Sequence, residues 1–276
     1  MISRFNLKKP LVIALGVLVA AIAIFLVFFS IPSNYKNNVS VRTTRITGNH
    51  GNENPSRNLT RIGVFSDLMI GFDYQVENLP TLVNTINNAN LDIIVFNGGL
   101  LYNNYELTNE QRATMVELLS SIRVPFGKFA VASSDDTSVS DSILFDSGFE
   151  MLENQSRPIN LNGNQLTITG LLNQNFNDVL SSLNPDMINL AFIHDPTNNQ
   201  QLLAYNTNVI VSAKTFGGQY NIPLFGSIYE DLREFPFYRG ISHIDNQIVI
   251  ANNGIGINRG SMRFLAPSTL DVIVIE

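Results

Sequence analysis

The chain opens on an apolar run, then alternates between short apolar stretches and amphipathic ones. Leu11 to Phe29 is nineteen residues without a polar side chain, and no charge occurs between Lys9 and Lys36. As a helix rising about 1.5 Å per residue, the run covers roughly 28 Å, close to the hydrocarbon thickness of a bilayer. The competing reading is a cleaved signal peptide, whose apolar region is shorter and ends in small residues. This run ends in Phe28-Phe29-Ser30-Ile31-Pro32, a poor cleavage site. The pattern predicts an uncleaved single-pass anchor over residues 11–31 in the cell membrane, with residues 1–10 cytoplasmic and the C-terminal part outside. Long domains translocate largely regardless of flanking charge. Residues 32–58 are prominent in Asn, Ser, Gly and Pro, and they read as a flexible linker with His50 a solvated loop residue.

From residue 60 the periodicity becomes that of a packed domain, placed at residues 59–276. Arg61–Ser66 and Asp92–Phe96 are runs suited to buried strands. Between them, Val76, Leu79, Leu82, Val83 and Ile86 have helical spacing. Thr108 is a suitable cap for a helix through Ile122, and Phe129–Ala132 makes a third strand. Such a β-α-β-α-β opening implies a parallel sheet covered by helices. The second half is richer in strands, expected at Met151–Leu152, Leu166–Thr169, Ile188–Ile193, Val209–Ser212, Ile248–Ala251 and Val272–Ile275. The order is satisfied by an α/β fold of four layers, α/β/β/α, with two facing mixed sheets flanked by helices.

Composition narrows the chemistry. The chain has 276 residues, enough for one sizeable core. It has no cysteine, so disulfides, thiolate metal sites and a cysteine nucleophile are excluded. Beyond residue 10 there are 14 basic against 23 acidic side chains, a net of −9, which opposes nucleic acid as a partner. No nucleophile elbow or Walker-type loop occurs.

In a sheet of this kind, ligands bind beyond the carboxyl ends of the strands. Those ends carry Ser66-Asp67-Leu68-Met69, Gly98-Gly99, Ser133-Ser134-Asp135-Asp136, His194-Asp195-Pro196 and Ala213-Lys214-Thr215-Phe216-Gly217-Gly218-Gln219. The series resembles the blocks S-D-x-H, G-D, G-N-H-D, H-D-P and G-H-T-H-G-G-Q of the calcineurin-like metallophosphoesterase superfamily, especially its membrane-associated bacterial branch. The likeness continues through Pro223, Tyr238-Arg239-Gly240, Gly254-Ile255-Gly256, Arg263 and Pro267, and so covers about residues 60–276. It implies hydrolysis of a phosphoester by water held between two divalent cations.

The same resemblance shows how little of that centre remains. Asp67 matches a carboxylate ligand and His194 a histidine ligand, while a ligand histidine is replaced by Met69 and the bridging aspartate by Gly99. Ser134 stands for the asparagine ligand, Asp135 for its neighbouring histidine, and Lys214 and Phe216 for the last two histidines, with Asp136 following the third block. Two of seven expected metal ligands survive, and from residue 59 onward only His194 and His243 are histidines. The expectation is a membrane-anchored pseudoenzyme that acts by binding a protein or a phosphorylated small molecule, without a cofactor. The alternative is an altered hydrolase of a membrane-associated phosphoester, holding a single divalent metal (Mn, Fe or Zn) with Asp67, His194, Asp135 and Asp136. Taken by themselves, Asp67 suits a turn cap as well as a ligand, and His194 suits a satisfied strand-end histidine. The Lys214 ammonium is placed either in solvent or in the vacated cavity near Asp67, with Phe216 filling volume there.

Overall fold

A computed structural model describes residues 12–20, 35–48, 59–103, 105–134, 136–172 and 175–276. The chain divides into two compact units, residues 1–34 and 35–276. In the first, residues 12–20 are helical with exposed side chains; the rest of the expected anchor lies outside the described residues. Among the described residues no helix is long and apolar enough to cross a membrane.

The second unit begins with β1 (Ser40–Ile46) and β2 (Thr60–Phe65), followed by helix α1 (Leu79–Asn88) and β3 (Ile93–Phe96). Helix α2 (Asn109–Ser120), β4 (Lys128–Ala130), α3 (Ser138–Asp146), β5 (Glu150–Met151), β6 (Gln155–Leu161) and β7 (Asn164–Leu171) come next. Then follow α4 (Asn177–Ser181), β8 (Ile188–Ile193), α5 (Asn199–Leu202) and β9 (Val209–Ser212). The chain closes with β10 (Asn221–Ile222), β11 (Gly226–Ser227), α6 (Glu230–Arg233), β12 (Gly240–Ile244), β13 (Gln247–Ala251) and β14 (Thr269–Ile275).

These elements make an α/β sandwich of two mixed six-stranded sheets, ordered β1-β14-β2-β3-β4-β5 and β12-β13-β9-β8-β7-β6. Strands β2 to β5 run parallel, as do β7, β8, β9 and β13. The inner layer packs Ile62, Val64, Ile93 and Val95 of one sheet with Ile168, Leu190, Val209 and Val211 of the other. Phe65, Ile94 and Phe96 turn outward to the apolar stripe of α1, Leu79, Leu82, Val83 and Ile86. On the far side Ile193, Ile210 and Val249 meet Leu180 and Leu202. Strands buried on both faces read as continuous apolar runs, as β2, β3, β8 and β9 do. Each such side chain contributes about 1.5–3 kcal/mol when fully buried. The fold therefore rests on these layers and leaves the strand ends free to carry polar groups.

One boundary needs correction. Residues 40–46, expected inside a flexible linker, form β1, paired in parallel with β14 along its whole length. The β-branched Val41, Thr43, Thr44 and Ile46 favour a strand, but the inward positions include the polar Arg42 and Thr44, so no apolar stripe marks it. Arg42 Nε and Nη2 donate to the two carboxylate oxygens of the buried Asp271 at 2.5 and 2.8 Å, fastening β1 to the sheet. His50 and residues 49–58 lie outside the described residues.

Candidate functional site

The parallel register brings the carboxyl ends of β2, β3, β8 and β9 to one side of the sandwich. Asn97, just past β3, ties the two sheets there by donating to the carbonyls of Ile193 at 3.1 Å and Val211 at 3.2 Å. Asp67 follows β2, is fully buried, and sits at φ +51°, a conformation that costs a non-glycine residue of order 1 kcal/mol. Its Oδ1 lies 2.9 Å from His194 Nε2. Its Oδ2 accepts from the Lys214 N–H at 3.1 Å and lies 2.8 Å from Ser66 Oγ. Ser66 Oγ is also 2.7 Å from Asn252 Oδ1, so one hydroxyl proton is shared between two acceptors.

A polar relay thus runs across the molecule. Asn252 Nδ2 donates to Asp271 Oδ2 at 2.7 Å, and Asp271 holds Arg42, so the chain Arg42–Asp271–Asn252–Ser66–Asp67–His194 links the β1 edge to the site. Burial opposes a charge on His194, but the Asp67 carboxylate and its hydrogen bond, helped by Asp136, outweigh it and raise the imidazole above its usual value. His194 Nδ1 is buried and has no partner among the described residues.

Glycines close on this pair. At Gly99 a Cβ would lie 2.8 Å from Asp67 Oδ1, and at Gly254 one would lie 2.7 Å from Asp67 Cβ. At Gly98 it would meet His194 Cδ2 at 2.7 Å. Asp136 is occupied in stapling the loops, its carboxylate accepting from the N–H groups of Gly99, Leu100 and Ser133 at 2.9, 2.9 and 3.1 Å. Asp135 lies outside the described residues. Met69 is buried at φ +49°.

Lys214 does not send its ammonium toward Asp67. Nζ bonds Asp195 Oδ2 at 2.6 Å instead, because the backbone at φ +66° already turns the Lys214 N–H to Asp67. Burial would raise the Asp195 carboxyl, but Lys214 and the hydroxyl and N–H of Thr197 hold it below its ordinary value. The buried cation on this side is Arg263. It donates to the carbonyls of Asn253, Gly256, Phe216 and Ala266, and its guanidinium faces the rings of Tyr35 and Phe216, each at 5.8 Å. Burial pushes it down to about 10, partly offset by the Asp67 charge. Phe216 is fully buried, and its ring faces Arg263. Sequence reasoning gave neither Arg263 nor Asn252 a role, since a single polar residue in a loop carries no periodic signal.

Beside His194 lies a cavity of about 450 Å³ lined by Ala132, Ser133, Ser134, Asn154, Leu172 and Asn175. Its size is that of a small-molecule site.

No family model matches the sequence. The chain is, however, 26% identical over 227 residues to the uncharacterized metallophosphoesterase YkuE of Bacillus subtilis, covering 78% of this chain and 79% of that one. The chain is thus distantly similar to a metallophosphoesterase. Solved structures similar to it include a novel archaeal phosphodiesterase (TM-score 0.38, 10% identity, 71% of this chain and 84% of that one). GAP50, the anchor in the inner membrane complex of Plasmodium, is similar with a TM-score of 0.46 at 10% identity, covering 78% of this chain and 80% of that one.

The donors at the strand ends do not fit the paired cations of the metallophosphoesterases. Among the described residues no three histidine, aspartate or glutamate side chains gather to hold an ion. The two that match metallophosphoesterase ligands, Asp67 and His194, point their donor atoms at each other. A bridging carboxylate has no room at residue 99 without displacing Asp67.

Proposed function

We propose that this metallophosphoesterase homologue is a membrane-anchored pseudoenzyme, which uses the inherited strand-end site for binding and not for two-metal hydrolysis. The observation that carries the reading is the pairing of Asp67 with His194 at 2.9 Å in a fully buried setting. An incoming cation must break the Asp67–His194 bond before it gains either side chain as a ligand. The adjoining cavity, with the seryl side chains of Ser133 and Ser134 and the amides of Asn154 and Asn175, supports a small polar ligand such as a phosphorylated metabolite. The apolar run Leu11–Phe29 supports the anchor, and the domain then lies outside the membrane.

Phosphodiesterase assays on the purified full chain test this reading, with bis-(4-nitrophenyl) phosphate and added Mn²⁺, Fe²⁺ or Zn²⁺. The expected result is no metal-dependent turnover above a blank. Turnover that needs metal and disappears in both Asp67→Ala and His194→Ala would return the chain to the hydrolases.

A further inference from the structure

The end of the domain that carries the site also carries an apolar projection. Strands β10 and β11 pair as a hairpin, Asn221 with Ser227 and Ile222 with Gly226, around the tip Pro223-Leu224-Phe225. Leu224 is 103% exposed and Phe225 75%, with Ile228 and Leu265 exposed beside the same hairpin. Leu224 also sits at φ +71°, where a side chain is disfavoured. A leucine held in a disfavoured conformation with its side chain wholly in solvent gains nothing from its own domain. Aromatic and arginine side chains lie on the hairpin and the segments joined to it. Tyr220 stacks on Phe264 at 5.2 Å, Arg259 lies 4.7 Å from Tyr229, and Arg239 lies 5.4 Å from Tyr238. An exposed apolar tip with tyrosines and arginines nearby has the composition of a membrane-interface contact.

The start of the domain supports the same partner. Tyr35, its first residue, is buried with its ring facing Arg263. Arg263 belongs to the loop that meets the hairpin, where Asn221 donates from N to the Phe264 carbonyl at 2.9 Å and from Nδ2 to the Leu265 carbonyl at 3.2 Å. Chain start and hairpin therefore share one end of the domain. Only Ser30–Asn34 separate Tyr35 from the last residue of the apolar run, and the six residue steps from Phe29 to Tyr35 reach no further than about 22 Å when fully extended.

We infer that the β10–β11 hairpin inserts Leu224 and Phe225 into the bilayer interface, seating the strand-end site against the lipid headgroups. The inference rests on the membrane anchor and adds a second point of attachment to it. Membrane-facing placement selects ligands that lie in the headgroup layer over solutes of the bulk.

The chain has no tryptophan, so Phe225→Trp installs a single reporter. The control is Phe145→Trp. Phe145 is 73% exposed near the end of α3, which leads back to the start of β5 at the opposite end of the sheet. Each full-length variant is reconstituted into phosphatidylcholine–phosphatidylglycerol vesicles with or without brominated acyl chains, and floated on a density gradient. The expected result is that both variants float, and that in brominated vesicles the Phe225→Trp protein loses about half of its indole emission or more while the Phe145→Trp protein keeps its own. Flotation of Phe225→Trp with its emission unquenched overturns the insertion and leaves the anchor standing. Failure to float overturns both. Quenching in the two variants alike contradicts a hairpin-specific contact. If the Phe225→Trp protein is unquenched and cross-links through the hairpin tip to a second copy, the tip serves self-association instead.

Discussion

Asp67 and His194 match metal ligands of the metallophosphoesterase pattern, yet they point their donor atoms at each other across 2.9 Å. The pair also lies against backbone of an unusual kind. Asp67, Met69, Lys214 and Phe216 all have positive φ, between +49° and +66°, and all match ligand positions of the metallophosphoesterase motif blocks. Each such conformation costs about 1–3 kcal/mol, which the surrounding layers must offset. The conformations suit a site, and the side chains no longer suit a metal. Two predictions belong to this scale. Because His194 is raised above its unfolded value of about 6.5, its pairing contributes full stability below that pH and loses it as pH rises through the folded value. Thermal unfolding between pH 5.5 and 9 should show stability falling with pH in the native chain, and a flatter profile in His194→Gln. Gly99→Asp, which restores the bridging carboxylate to the motif, should destabilise by about 1–3 kcal/mol, since residue 99 sits at φ +80° and its new Cβ would crowd Asp67. Chemical denaturation measures the loss, and a Gly99→Asp protein that is stable and hydrolyses phosphodiesters contradicts the packing described here.

Among the elements, β1 shows where hydrophobic pattern stops being informative. Strands buried on both faces, such as β3 and β8, announce themselves as Ile-Ile-Val-Phe or Ile-Asn-Leu-Ala-Phe-Ile, and α2 is marked by the reciprocal Thr108–Gln111 cap. Edge strands β1, β6 and β12 do not, because one side faces water and the other accepts polar residues held by partners elsewhere in the chain. The same physics hid half of the site. Asp67 and His194 were legible as strand-end residues, whereas the Lys214 ammonium was turned to Asp195 by its backbone, and Arg263 has partners whose positions only the folded chain defines. Arg42 is the test of β1. Arg42→Ala leaves the buried Asp271 carboxylate without its cation, and a loss of about 3 kcal/mol in urea unfolding is expected. Since Asp271 also binds Asn252, the loss should reach the far end of the relay and raise the pKa of His194, which NMR titration of its ring reports. An Arg42→Ala protein of native stability would mean that β1 is not part of the working sheet.

At the scale of the molecule, the features converge on one end of the domain. The Asp67–His194 pair, the cavity beside His194, the buried Arg263 with Tyr35 against it, and the apolar hairpin all lie at the carboxyl ends of the parallel strands or on loops joined to them. A binding role makes use of the sandwich without its metals, since a fold of this kind positions loops whatever chemistry they carry. The claim beneath all of this is that Asp67 and His194 serve each other and not a metal. Anomalous diffraction from crystals of the protein grown in excess Mn²⁺ decides it directly. The prediction is no peak near either residue, with the Asp67–His194 bond intact; two manganese peaks about 3.5–4 Å apart, each ligated by one of these side chains, would contradict it.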